Sequence, residues 1–200
     1  WSSDVCSSDL ELDKESGAMF VDRFLHTAMH YPCNYGFIPH TLSDDGDPVD
    51  AAVLGQHTLA PGVVVPSRPV GVLLMEDESG IDEKILCVPV DRLHPYYENV
   101  FTVSDVRPIL LEQIAHFFSH YKDLEPGKWV KVTGWEGVEK AKALIDEGIA
   151  RAQTAQSAFV LSFQGCVFTG PAFFVCVFLC VCLLFRRFSL ISRVSALCVA

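Results

Sequence analysis

Apolar positions recur at helical spacing in two stretches of the chain. Leu110, Ile114, Phe117, Phe118 and Tyr121 fall at i, i+4, i+7, i+8 and i+11, behind a Pro108 suited to a first helical turn. One side of that helix faces a core. Val138, Ala141, Ile145, Ile149 and Ala152 form a second stripe, which predicts a final helix and the end of the folded domain shortly after it. Upstream the period shortens. Trp129–Trp135 (WVKVTGW) alternates every second residue, the mark of a half-buried strand. Gly62–Glu76 and Lys84–Val90 are β-branched runs interrupted by Pro, as strands near a barrel rim are. Strands first and helices last predict an α+β domain, and no internal repeat is present.

The two ends break this order. Residues 1–10 (WSSDVCSSDL) follow neither period, and the string can be encoded by a common sequencing-library adapter. We read it as a non-native leader; the alternative is a short natural flexible terminus. At the other end no charged residue occurs from Ala152 to Phe185, and Phe173–Phe185 is an unbroken apolar run followed by Arg186 and Arg187. A spanning helix needs about 20 apolar residues, and extending the run backwards takes in Pro171, Gly170 and Thr169. The Phe/Cys/Val bias of residues 158–200 suits translation of a non-coding or out-of-frame stretch better than a tail anchor. Residues 11–157 are then the working body, and a membrane becomes a partner only if the tail is genuine.

Composition sharpens the picture. A chain of 200 residues, 50% apolar and 20% charged, has room for one core. The 12 basic and 25 acidic side chains of residues 1–157 leave that part at a formal −13. Such a body repels nucleic acid, so an anionic substrate must meet local Lys and Arg or recruited cations. Only Cys33 and Cys87 fall within the body, which leaves no disulfide framework and points to a reducing, cytoplasmic compartment.

The densest chemistry is Asp44-Asp45-Gly46-Asp47-Pro48-Val49-Asp50, four carboxylates in seven residues. They repel one another unless cations sit between them, and hard oxygen donors suit Mg²⁺, Mn²⁺ or Ca²⁺. A solvated acidic turn is the alternative, since Asp, Gly and Pro all form turns. The spacing does not fit an EF-hand. Asp77 and Asp82 flank a turn at Gly80, with Lys84 close behind, so a second acidic pair could converge on the first. Arg23 and the Tyr121-Lys122 pair could grip an anion, although Lys122 also suits a helix C-terminus on its own account. Zinc at His116/His120 or His26/His30 lacks a third ligand and an HExxH pattern.

Taken together, ELDKESGAMFVDRF, YPCNYGFIPHTL, DDGDPVD, RPVGVLLMEDESGIDEK and HFFSHYKDLEPGKWVKVTGW resemble a soluble family I inorganic pyrophosphatase of the bacterial type, over roughly residues 11–153. The family signature D-[SGDN]-D-P-[LIVMF]-D is present as Asp45-Gly46-Asp47-Pro48-Val49-Asp50. The resemblance implies a small OB-like five-stranded β-barrel with flanking helices, a homo-hexamer, and Mg²⁺-dependent hydrolysis of pyrophosphate, with Mn²⁺ or another divalent ion as a substitute. It implies that Asp45, Asp50 and Asp82 hold catalytic metals, that Asp77 holds a substrate-borne metal, and that Glu11 is an outer acidic ligand. It also implies Asp47 as general base, with Arg23, Tyr35, Lys84, Tyr121 and Lys122 gripping phosphate and Tyr31 lining the same cavity.

One departure stands out. The family carries a Lys two residues before the Glu that matches Glu11, and this chain has Asp9 there. The expectation is a chain impaired relative to its parent. Two rival readings are an OB-type module that binds metal, nucleotide or oligonucleotide without catalysis, and a membrane-tethered pyrophosphatase. Residues 1–157, at a formal −13, offer the oligonucleotide reading no basic track.

Overall fold

A computed structural model describes residues 8–13, 16–164 and 196–199. In chain order the strands and helices are β1 (Ser8–Leu12), β2 (Met19–Phe24), β3 (Asn34–Phe37), β4 (Asp50–Val53), β5 (Val64–Asp77), β6 (Gly80–Ile81) and β7 (Lys84–Pro89). These are followed by α1 (Pro108–His120), β8 (Val130–Gly137), α2 (Val138–Gln164) and β9 (Ala196–Val199). β1 and β2 form an antiparallel ribbon. The other strands form one mixed sheet in the order β6-β5-β7-β4-β3-β9, with β8 also paired to β5.

The expected α+β, OB-like class stands; among the described residues seven strands lie in one sheet and two in a separate ribbon. β9 bridges β3 and the start of β5, pairing Cys198 with both Phe37 and Val64. Residues 1–10 carry no strand periodicity, yet Ser8, Asp9 and Leu10 are in β1. Cross-strand hydrogen bonds to β2 supply an order that local sequence does not encode. The predicted last helix also overruns its expected end and reaches Gln164. No Gly or Pro intervenes between Gly148 and Gly165 to stop it. The rest of the leader (1–7) and most of the tail (165–195 and 200) lie outside the described residues. Among those described, no helix is long and apolar enough to cross a membrane.

Period-two alternation explains how the sheet is covered on both faces. Ala52 and Leu54, Leu73 and Met75, and Leu86 and Val88 point into a cluster with Ile114, Phe117 and Phe118 of α1. Their neighbours Ala51 and Val53, Val72, and Ile85 and Cys87 point the other way, against Ala141 and Leu144 of α2. A strand covered on both sides has no solvent face, so every residue of β7 is buried.

Candidate active site

The same alternation positions the charges. Asp50 opens β4 and Lys84 opens β7, strands that run parallel, while Asp77 closes β5, which runs antiparallel to β7. All three ends therefore meet at one edge of the sheet. Each charged residue is two positions from a residue of the α1-facing cluster (Ala52, Leu86 and Met75), so they face that side as well. The residues following α1 add Tyr121 and Lys122, both buried.

Lys84 is the hub. Its Nζ lies 2.5 Å from Asp50 Oδ2 and donates a short hydrogen bond to Asp82, while the Tyr35 hydroxyl donates to the same Asp50 oxygen at 2.7 Å. The ammonium is 5.6 Å from the Tyr35 ring centre and 5.8 Å from that of Phe118. Burial alone would favour the neutral amine, but the Asp50 and Asp82 carboxylates outweigh it and hold the Lys84 pKa well above the ordinary lysine range. Asp82 is pushed up, because burial exceeds the opposing pull of Lys84. Burial, reinforced by the charge of Asp50, keeps the Tyr35 phenol protonated far above its usual range.

A second cation sits beside the first. Lys122 Nζ lies 2.6 Å from Asp77 Oδ2 and 3.5 Å from Glu78 Oε1. Burial opposes ionisation of Asp77, yet hydrogen bonds from Lys122 and the Ser79 N–H bring its pKa below normal. Tyr31 stacks on Tyr35 with ring centres 5.0 Å apart and donates to Asp9 at 3.3 Å. Arg23 lies between two carboxylates, Nη2 being 2.9 Å from Asp9 and Nη1 3.3 Å from Glu125. Tyr121 stacks on Phe117 beneath this group, with ring centres 5.4 Å apart.

The aspartate loop hangs beside the cluster. Asp45 accepts a hydrogen bond from the Asp47 N–H at 2.9 Å, and Gly46 takes φ +95°, a conformation glycine adopts without strain. The loop is pinned to α2, where Leu42 N–H donates to the Gly148 carbonyl at 3.0 Å. Arg151 reaches the Leu42 carbonyl and Asp44, at 2.8 and 2.9 Å. Asp45 and Asp47 are exposed and stand outside the ion pairs of Lys84 and Lys122, as does Glu11, exposed on β1.

Of the residues predicted from sequence, Asp50, Asp77, Asp82, Lys84, Tyr31, Tyr35, Tyr121, Lys122 and Arg23 thus lie in one neighbourhood, whereas Asp45, Asp47 and Glu11 are exposed and take no part in its ion pairs. Among the described residues no three His, Cys, Asp or Glu side chains gather closely enough to hold an ion by themselves. The donors still fit a hard divalent ion, because Asp50 and Asp82 already share one positive charge at Lys84 Nζ. Sequence reasoning assigned no role to Glu78 or Glu125. Glu125 is 102 residues from Arg23, and no local pattern announces that pair.

A family model described as inorganic pyrophosphatase matches residues 5–153. The inorganic pyrophosphatase of Rhodospirillum rubrum is 66% identical over 140 residues, covering 70% of this chain and 78% of that protein. The one from Caulobacter vibrioides is 59% identical over 141 residues, 70% of this chain and 80% of that protein. Among solved structures, the inorganic pyrophosphatase from Helicobacter pylori superposes with a TM-score of 0.72 at 51% identity, over 74% of this chain and 86% of that one.

Proposed function

The chain belongs to the inorganic pyrophosphatase family, and from that membership we propose how this edge of the sheet carries out the hydrolysis. The protein is an inorganic diphosphatase: it splits pyrophosphate into two phosphates. A water oxygen forms a bond to one phosphorus, the bridging P–O bond breaks, and its electron pair leaves on the second phosphate. The difficulty is electrostatic, because the attacking oxygen and the phosphoryl oxygens repel.

Divalent ions, Mg²⁺ above all and Mn²⁺ as a substitute, supply positive charge that neutralises the phosphates and makes water easier to deprotonate. Asp45, Asp50 and Asp82 would hold catalytic ions, Asp77 one that arrives with the substrate, and Glu11 an outer coordination position. Asp47, exposed on its loop, accepts the proton of the attacking water. Lys84 and Lys122 stay protonated beside their carboxylates and meet phosphoryl oxygens as fixed charges. Arg23 offers a planar fork. Tyr35 and Tyr121 are buried phenols held protonated, so they donate hydrogen bonds without adding negative charge, while Tyr31 forms the wall.

The convergence of Asp50 and Asp82 on Lys84, with the Tyr35 hydroxyl donating to the same Asp50 oxygen, carries this reading. The working unit is residues 11–157, acting in the cytoplasm and assembled as a homo-hexamer. Phosphate release from pyrophosphate, measured with Mg²⁺ and with a chelator, tests the reaction. Turnover that persists undiminished in chelator overturns the metal-dependent part, and absence of turnover in both overturns the whole.

A further inference from the structure

Asp9 stands where an anionic substrate would be gripped. Its two carboxylate oxygens are divided between two donors, Oδ2 facing Arg23 Nη2 at 2.9 Å and Oδ1 accepting from the Tyr31 hydroxyl at 3.3 Å. We propose that in this chain Asp9, a residue of the leader outside the working unit, competes with substrate: its carboxylate occupies Arg23 beside the Tyr31 wall and raises the concentration of pyrophosphate needed to fill the site. The inference rests on the reading of Arg23 as a phosphate-gripping group.

Three observations support it. First, the contact is fixed by strand register. Asp9 and Arg23 are direct partners across the β1–β2 ribbon, and the register shifts immediately after Asp9. A cross-strand pair needs no chance encounter of flexible side chains. Second, the pair is reversible rather than sealed, because the Arg23 and Asp9 side chains keep 24% and 25% of their exposure. Third, Arg23 has unused capacity. Its Nε is buried without a hydrogen-bond partner, and so is Glu125 Oε1, although Glu125 Oε2 already faces Arg23 Nη1. Glu125 can therefore keep the guanidinium in place when Asp9 lets go.

A phosphoryl group approaching this grip must displace Asp9 or sit beside it, and the two negative charges repel. The burden falls on binding more than on bond cleavage, since Asp9 touches Arg23 and Tyr31 rather than the Asp50–Lys84–Asp82 cluster. The predicted signature is a change in KM with little change in kcat.

The test compares the full chain with Asp9→Ala, Asp9→Asn and the control Asp22→Asn, which removes an equal charge from an exposed neighbour of Arg23 on β2. Two quantities are read: KM for pyrophosphate with Mg²⁺, and the dissociation constant of inorganic phosphate in chelator by calorimetry. Both should fall about two- to fivefold in the Asp9 variants, a size suited to a quarter-exposed ion pair, with kcat within about twofold. Asp22→Asn should move neither. Constants that stay level or rise in both Asp9 variants would show that the carboxylate positions Arg23 instead of competing. Asp9→Asn keeps the shape of the side chain and guards against a fold defect in the alanine form. If no variant releases phosphate from pyrophosphate, the assignment of function fails, while the inorganic phosphate titration still decides the competition.

Discussion

Replacing Lys84 by Met tests whether one buried ammonium holds the two acids in place. Methionine keeps much of the buried aliphatic stem and removes the ammonium near the Tyr35 and Phe118 rings, so the loss is mostly electrostatic. Stripping one partner from a buried ion pair costs about 3–5 kcal/mol. The Lys84 side chain is 4% exposed, but Asp82 keeps 17% and Asp50 33%, so water screens part of the penalty. The expected loss is therefore about 2–3 kcal/mol. With an m-value of about 1.5 kcal/mol per molar urea, the midpoint in chelator should fall by about 1.3–2 M. The sign of the pH effect follows from Asp82, whose folded pKa is already above normal. A carboxylate with a raised folded pKa stabilises most below its unfolded value and loses that stability as pH climbs, so the deficit should be smaller at pH 5 than at pH 8. Mg²⁺ at about a hundred times its dissociation constant should return about 2.7 kcal/mol. Wild type, whose acids are already neutralised, should gain less. A midpoint that moves by less than about 0.5 M, or a variant that ignores Mg²⁺, refutes the reasoning.

Three further outcomes are expected. Asp50→Ala, which leaves Lys84 and Tyr35 without their shared acceptor, should cut kcat by at least about a hundredfold at any practical Mg²⁺, and near-normal phosphate release by that variant would count against the assignment. Gly148→Ala places a methyl group 2.7 Å from Val49 Cγ2 and 3.3 Å from Thr41 Cβ. It should cost about 1–3 kcal/mol in urea unfolding, and an unchanged midpoint would mean the loop gives way freely. Asp105 is held below its ordinary value of 3.8 by hydrogen bonds from the Thr102 and Phe101 N–H groups, so its stabilisation exists above that value and fades as pH falls through the lowered one. Asp105→Asn should therefore flatten the fall in Tm between about pH 4 and pH 2; parallel curves would contradict a stabilising role for these hydrogen bonds.

The sequence disclosed those parts whose order is local. The Leu110–Tyr121 stripe became α1 and its C-terminal cap, and the alternation of Trp129–Trp135 lies within β8 and its preceding turn. β3 and β4, at four residues each, are too short to display a period and exist through pairing with one another and with β7. β1 was hidden for the same reason. Side-chain types were legible at the site, and their partners were not. Nothing in the spacing of Asp50 and Lys84, 34 residues apart, says that they touch, and the Arg23–Glu125 pair depends on the ribbon meeting the turn after α1.

The faces of β4, β5 and β7 carry one more consequence. Each strand presents aliphatic residues to α1 until its last position at one edge, where an ionic residue takes over. A slip of β7 by a single residue would carry Lys84 to the opposite face and thrust Ile85 among carboxylates. The charges that serve hydrolysis thus act as a key for strand alignment, so a misthreaded molecule loses its chemistry and buries an ammonium away from its carboxylates at one stroke.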